Sequence, residues 1–149
     1  MAATSVELAS KSRVLGGSDE FWMPRALSSS GWSRRRLLRL LGRIEGGDRF
    51  ADSGSVIITE LVTNAVKHGT RRGKRVFVRL TVDAASLRIE VHDASSVAPV
   101  LRDIELLDEC GRGLNLVRAM SQAWGFGPRT PGIGKIVWAV VTPVQGDDR

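Results

Sequence analysis

The chain has 149 residues, of which 42% are hydrophobic and 26% are charged. These proportions are ordinary for a globular protein, and the length suits one domain with its own core. No apolar run approaches the roughly 20 residues that a membrane-spanning helix needs, so we expect no membrane association. Cys110 is the single cysteine, which excludes an intramolecular disulfide and argues against a structural zinc site. A reducing cytoplasm is the expected location.

The net charge is +6, and basic residues are concentrated between residues 34 and 79. Such a cluster suits an acidic protein, a nucleotide or a nucleic-acid backbone. It has little aromatic interleaving and matches no nucleic-acid-binding module, so we favour a solvated arginine-rich surface. Nucleic-acid binding is therefore not expected. It is kept as a third hypothesis, which predicts an affinity that falls steeply with salt.

The expected organisation is a flexible N-terminal arm, one domain and a tail, over residues 1–19, 20–142 and 143–149. The domain begins with a short edge strand over residues 20–23, which Pro24 ends. A first helix is predicted over residues 34–44, with Ser33 as its N-cap. Glycines at 46–47 then break the chain.

A second predicted helix, over residues 51–68, carries the most informative pattern. Its apolar residues recur at helical spacing and bury one face: Ile57, Ile58, Leu61, Val62, Ala65 and Val66. Glu60, Asn64 and His68 follow one another at i, i+4 and i+8 and form one polar stripe. Gly69 is the expected C-cap. An amide oxygen can ligate Mg²⁺ while a carboxylate one turn away deprotonates a nucleophile, although a solvated polar face is the alternative.

Two alternating stretches follow this helix. Residues 75–82 and 87–92 alternate with period two and predict half-buried strands joined by a hairpin-like connection. Their apolar residues are expected to share one face of a sheet. Asp93 stands at the end of the second strand, where ligand-binding side chains of α/β sheets are common.

The last third of the chain returns to the sheet. Residues 94–110 have no persistent periodicity and predict a long functional loop. Gly111-Arg112-Gly113 precedes a helix predicted over residues 114–124, followed by a turn-rich return over residues 125–134. Residues 135–141 form a strongly apolar strand, which we expect to be central. This order predicts an α+β fold, a two-layer α/β sandwich with a mixed, mostly antiparallel sheet and helices on one face.

Three motifs now stand in a fixed order along the predicted elements. They are Glu60-x-x-x-Asn64 with Lys67-His68-Gly69, Asp93 at a strand end, and Gly111-Arg112-Gly113-Leu114 opening a helix. Together they resemble the GHKL ATPase superfamily, which includes histidine kinases and DNA gyrase, and its Bergerat-type ATP-binding fold. The chain is most similar to the anti-sigma factor serine/threonine kinases, and the resemblance covers roughly residues 20–142.

The resemblance implies roles for individual residues. Asn64 would hold Mg²⁺ against the ATP phosphates, and Glu60 would be the base that prepares the attacking hydroxyl. Asp93 would accept a hydrogen bond from the adenine amino group. Gly111 and Gly113 would let backbone N–H groups approach the phosphates, and the N-terminus of the following helix, at Leu114, would add its dipole.

Other residues near the implied phosphate site have two interpretations. Lys67, His68 and Arg112 would add positive charge beside the phosphates, although His68 is more often a cation at a helix C-terminus. Asp93 could instead cap the loop that follows it, and the glycines at 111 and 113 could form only a helix-entry turn. The four tryptophans are expected in the core or at interfaces: Trp22, Trp32, Trp124 and Trp138.

Two positions depart from the superfamily pattern. Where that pattern has Asp-x-Gly-x-Gly, this chain has Asp93-Ala94-Ser95-Ser96-Val97, and Lys135 stands where a threonine near the adenine is usual. They leave two hypotheses open. The first is a regulatory kinase that sequesters a sigma factor and phosphorylates an anti-anti-sigma antagonist with Mg-ATP. The alternative is a non-catalytic binding module with weak or no ATP binding. The resemblance also implies a possible homodimer, with residues 34–44 at its interface.

Overall fold

The computed structural model describes residues 13–69, 74–95, 109–129 and 133–144. Within them the strands are β1 (Gly17–Met23), β2 (Val76–Val82), β3 (Leu87–Asp93), β4 (Ala123–Pro128) and β5 (Lys135–Val141). The helices are α1 (Ser28–Leu41), α2 (Ala51–Asn64) and α3 (Glu109–Met120). A 3₁₀ turn at Gly47–Phe50 leads into α2, and a π-helical turn at Ala65–Gly69 follows it. No helix in these segments is both long and apolar enough to cross a bilayer.

The strands form one sheet in the order β1-β2-β3-β5-β4, and each of the four pairings is antiparallel. The fold is therefore α+β, as predicted. We predicted a mixed, mostly antiparallel sheet. Among the described residues, the parallel pairing is an isolated bridge between Val14 and Ile44, outside the five strands. The last strand, β5, lies inside the sheet with β3 and β4 on its two sides, and β3 is the middle strand.

One face of the sheet packs against the helices. In the register of β2 and β3, Val82 lies beside Leu87 and Leu80 lies beside Ile89, and all four side chains are buried. This confirms that the two strands share an apolar face. The same core contains buried residues of α1, α2 and α3, which include Leu37, Ile57, Ile58, Leu61 and Val117. Because burying one such side chain contributes about 1.5–3 kcal/mol, this layer dominates the stability of the fold.

The first helix begins earlier than predicted. It spans Ser28–Leu41, so the prediction of residues 34–44 with Ser33 as N-cap was wrong. Ser33 is buried inside the helix, where its hydroxyl donates a hydrogen bond to the Ser30 carbonyl oxygen at 2.7 Å. The hydroxyl of Ser29 similarly donates to the Pro24 carbonyl oxygen at 2.7 Å. Local hydrogen bonds of this kind let serines lie within the first turns of a helix.

The return to the sheet also differs from the prediction. α3 ends at Met120, and residues 123–128 form the edge strand β4 where the sequence predicted a helix end and a turn-rich return. The backbone N–H of Gln122 donates to the Val140 carbonyl oxygen at 2.8 Å, which starts the pairing with β5. The ring of Trp138 packs so closely against Gly125 that a Cβ at this position would overlap it. Pairing with β5, rather than local propensity, therefore makes this segment a strand.

Candidate functional site

Glu60 and Asn64 lie one turn apart on α2, as the sequence predicted, and both are half-buried. Burial raises the pKa of the Glu60 carboxyl above its ordinary value, and the positive charge of Lys67 acts in the opposite direction. A carboxylate with a raised pKa is a better proton acceptor near neutral pH. The pair therefore offers a base and an amide oxygen on the same side of one helix.

The helix changes geometry directly after Asn64. Residues 65–69 form a π-helical turn, in which hydrogen bonds run from i to i+5, so the predicted continuous α-helix to His68 was wrong. Lys67 and His68 are exposed, whereas Val66 is buried.

Arg25 supports this turn, a role that no sequence pattern indicated. Its Nε donates a hydrogen bond to the Val66 carbonyl oxygen at 3.1 Å. A π-helical turn leaves carbonyl groups without their usual helical partners, so an outside donor stabilises it. The side chain that does so lies 41 positions earlier in the chain.

Asp93 ends β3 with its side chain on the helix-facing side of the sheet. Only 2% of that side chain is exposed. The carboxylate oxygen Oδ1 accepts from the Ser95 backbone N–H at 2.9 Å and from Lys135 Nζ at 3.1 Å, and Oδ2 lies 3.0 Å from the same ammonium. Burial raises the pKa of Asp93, while Lys135 and the Ser95 N–H lower it. The ion pair with Lys135 was not predicted.

Two glycines pack directly against Asp93. A Cβ on Gly69 would overlap the Asp93 carboxylate, and a Cβ on Gly134 would overlap the Asp93 carbonyl oxygen. Gly134 also has a φ of 127°, whereas Gly69 does not have the left-handed backbone expected of a glycine C-cap. Gly69 is therefore required for space. The contact of Gly69 with Asp93 joins the π-helical turn after α2 to the end of β3.

The glycine motif at residues 111–113 lies inside a helix. α3 spans Glu109–Met120, so the prediction that Gly111, Arg112 and Gly113 precede a helix starting at Leu114 was wrong. Leu114 is buried on this helix. The side chain of Arg112 and most of the predicted loop at residues 94–110 lie outside the described residues. The phosphate-binding roles of these residues stay predictions.

The donor set fits a magnesium ion held jointly with a ligand. In the described part of the chain, no group of three or more His, Cys, Asp or Glu side chains is arranged to hold a metal. Mg²⁺ commonly takes one or two protein oxygens and completes its shell with phosphates and water. The half-buried amide of Asn64, beside the carboxylate of Glu60, suits that kind of site.

A family model for the histidine kinase-like ATPase domain matches residues 27–140. The chain belongs to this family. It is similar to the histidine kinase domain of the blue-light activated histidine kinase from Erythrobacter litoralis EL346, with 18% identity and a TM-score of 0.44. That match covers 80% of this chain and 61% of the other, so the chain spans less than two thirds of that domain's length. No curated protein matches the chain.

Family membership confirms the predicted GHKL superfamily and supports an ATP-binding site in this chain. The finer likeness to anti-sigma factor kinases stays a prediction. None of the site residues is assigned by these matches, so their roles depend on the geometry described above.

Proposed function

We propose that this protein is an Mg-ATP-dependent regulatory kinase of the anti-sigma type. It sequesters a sigma factor and phosphorylates an anti-anti-sigma antagonist on serine or threonine. Membership of the histidine kinase-like ATPase family supports the nucleotide part of this proposal. The partners and a homodimeric state rest on the sequence resemblance alone.

The contact of Gly69 with Asp93 is the observation that carries the proposal. Asp93, the residue proposed to bind adenine, packs in this contact against the π-helical turn that directly follows Glu60 and Asn64 on α2. A purine held at Asp93 would therefore direct its phosphates along the end of α2. Phosphoryl transfer depends mainly on such positioning and on charge neutralisation.

Each side chain then has a defined task. Asn64 would hold the Mg²⁺, which supplies positive charge to the phosphates when bound. Glu60 orients the attacking hydroxyl of the antagonist and accepts its proton. Its raised pKa favours that acceptance. The exposed Lys67 and His68 lie on the next turn, where they add basic groups close to the same end of the helix.

Transfer of radiolabelled phosphate from ATP to the cognate antagonist tests the proposal. Glu60→Gln keeps the shape of the side chain and removes its basicity, so the rate should fall by at least about 100-fold. Asp52→Asn is the matched control, since it makes the same change at an exposed position in the first turn of the same helix. Absence of transfer by the wild type, with the antagonist bound, would remove the kinase claim.

The alternative function is a non-catalytic module that sequesters a partner. The ion pair between Asp93 and Lys135 favours this alternative, because the ammonium occupies the carboxylate that adenine would use. Calorimetric titration separates the two functions. Binding of Mg-ATP at micromolar concentrations supports the kinase, whereas absent or millimolar binding together with retained partner binding supports the module.

A further inference from the structure

Lys135 and Asp93 form a buried ion pair at the end of the sheet, directly beside the proposed nucleotide site. They are register partners across β3 and β5, and Nζ lies 3.0–3.1 Å from both carboxylate oxygens. Gly69 packs closely against the Asp93 carboxylate, and Gly134 packs against the Asp93 carbonyl oxygen. In this pair a donor and an acceptor stand side by side.

The two members differ in how far they reach the surface. The Asp93 side chain is 2% exposed and that of Lys135 is 10% exposed, so the Lys135 side chain is the more accessible of the two. An ammonium has three N–H donors. Within the part of the chain that the structure describes, the Lys135 ammonium contacts the two Asp93 carboxylate oxygens, which leaves one N–H for a ligand. A carboxylate has about four acceptor positions, of which the described contacts use three.

A side-by-side donor and acceptor match the Watson–Crick edge of adenine. That edge offers the amino N–H at position 6 as a donor and ring nitrogen N1 as an acceptor. We propose that Lys135 is a base-recognition residue, whose ammonium donates to adenine N1 while Asp93 accepts from the 6-amino group. This inference rests on the proposed function, because it assumes that the site takes an adenine nucleotide.

The proposal predicts a definite preference among purines. An inosine nucleotide has an oxygen at position 6 and a hydrogen on N1, so it would set an oxygen against the carboxylate and an N–H against the ammonium. Both contacts become repulsive, and a site that reads hydrogen bonds rejects such a ligand strongly. If Lys135 only blocked the carboxylate, its removal would instead strengthen the binding of ATP.

The decisive comparison uses the wild-type protein and needs no substitution. ATP and 1-deaza-ATP differ only in the N1 acceptor, and both keep the 6-amino group. With Mg²⁺ present, calorimetry should show that 1-deaza-ATP binds at least about tenfold more weakly than ATP, as expected for loss of a hydrogen bond to a charged group. Inosine triphosphate should bind more weakly still.

Lys135→Met should remove the discrimination between ATP and 1-deaza-ATP. Because the affinities for ATP and 1-deaza-ATP are compared within one variant, a general loss of nucleotide affinity cancels in their ratio. Loss of one partner of a buried ion pair destabilises the protein. Lys135→Gln, which retains a hydrogen-bond donor, is therefore the second variant. Lys74→Met, at an exposed lysine, is the matched control and should keep the wild-type ratio.

The outcomes separate this inference from the proposed function. Equal affinity of the wild type for ATP and 1-deaza-ATP, tighter ATP binding by Lys135→Met, or preference for inosine triphosphate would each overturn the role of Lys135 and leave a nucleotide site intact. Failure of the wild type to bind any of the three nucleotides would overturn the nucleotide site itself, and this inference with it.

Discussion

Because Gly69 has no side chain, the Asp93 carboxylate can pack directly against the π-helical turn after α2. The predicted reason for a glycine there was a helix C-cap, but the structure requires it because the Asp93 carboxylate lies where a Cβ would be. The sequence could mark the position as special without revealing the cause. The cause is a contact between residues 24 positions apart (93 − 69), which local patterns do not report.

Gly69→Ala should therefore lower the stability of the protein. The added methyl group forces the Asp93 carboxylate or the π-helical turn to move, at a cost of about 1–3 kcal/mol in the free energy of unfolding. Urea denaturation measures this loss. Gly31→Ala is the control, since Gly31 lies within α1 with no neighbour within 4 Å of its Cβ position, and that variant should gain up to about 1 kcal/mol. Wild-type stability of Gly69→Ala would contradict the packing described here.

His92 lies on the sheet face opposite the helices, and among the described residues neither ring nitrogen has a hydrogen-bond partner. Its ring packs edge-on against Phe77, with centroids 5.0 Å apart. Burial lowers the pKa of the imidazole, Glu90 opposes that effect, and the positive charges of Arg129 and Arg79 reinforce it. His92 is therefore held neutral at pH 7.

This environment predicts a pH dependence of stability. Because the pKa of His92 is lower in the folded state than in the unfolded chain, the unfolded chain binds the proton first as the pH falls. The free energy of unfolding should thus decline as the pH falls below about 6.5 and level off below the folded pKa. Denaturation of wild type and His92→Phe from pH 5 to pH 8 measures the difference. Parallel curves over that range would contradict the assignment.

The π-helical turn after α2 is an element that the sequence did not predict. The apolar spacing through Ala65 and Val66 is compatible with a continuous α-helix, and it correctly predicted which side is buried. A donor from another part of the chain supports the turn, since Arg25 Nε donates a hydrogen bond to the Val66 carbonyl oxygen. Such features are common at functional sites, and here the turn lies directly after Asn64.

Arg25→Ala should loosen this turn selectively. Loss of the hydrogen bond to Val66 is expected to cost about 1 kcal/mol and to leave the rest of α2 in place. Native-state hydrogen exchange should show faster exchange of amides at residues 65–69. Arg34→Ala, at an exposed arginine of α1, should not change them. Equal exchange rates at residues 65–69 in wild type and Arg25→Ala would show that this bond does not stabilise the turn.

The elements that the sequence predicted well are those with strong periodicity. β2 and β3 alternate cleanly, and their register confirmed the shared apolar face. β4 was missed because Gly125, Gly127 and Pro128 are typical of turns, while its strand geometry comes from pairing with β5. The start of α1 was placed too late because its first residues, Ser28-Ser29-Ser30-Gly31, are also typical of loops.

At the scale of the whole molecule, the sequence predicted the fold class and the GHKL superfamily, and both are confirmed. The finer likeness to anti-sigma factor kinases stays a prediction. The sequence also predicted Glu60, Asn64 and Asp93 as site residues, and the structure brings the last of these against the end of the α2 segment. The ion pair between Asp93 and Lys135 could not be predicted. Its partners are 42 positions apart, and their meeting depends on the antiparallel register of β3 and β5.

The proposed function depends on one site in which Asp93 holds a purine and Asn64 holds a cation against the phosphates. A crystal structure with Mg²⁺ and a non-hydrolysable ATP analogue tests this most directly. We expect purine density within hydrogen-bond distance of the Asp93 carboxylate and cation density at the Asn64 amide oxygen. Purine density elsewhere, no density at saturating ligand, or an Asn64 amide turned into the core away from the nucleotide would contradict it.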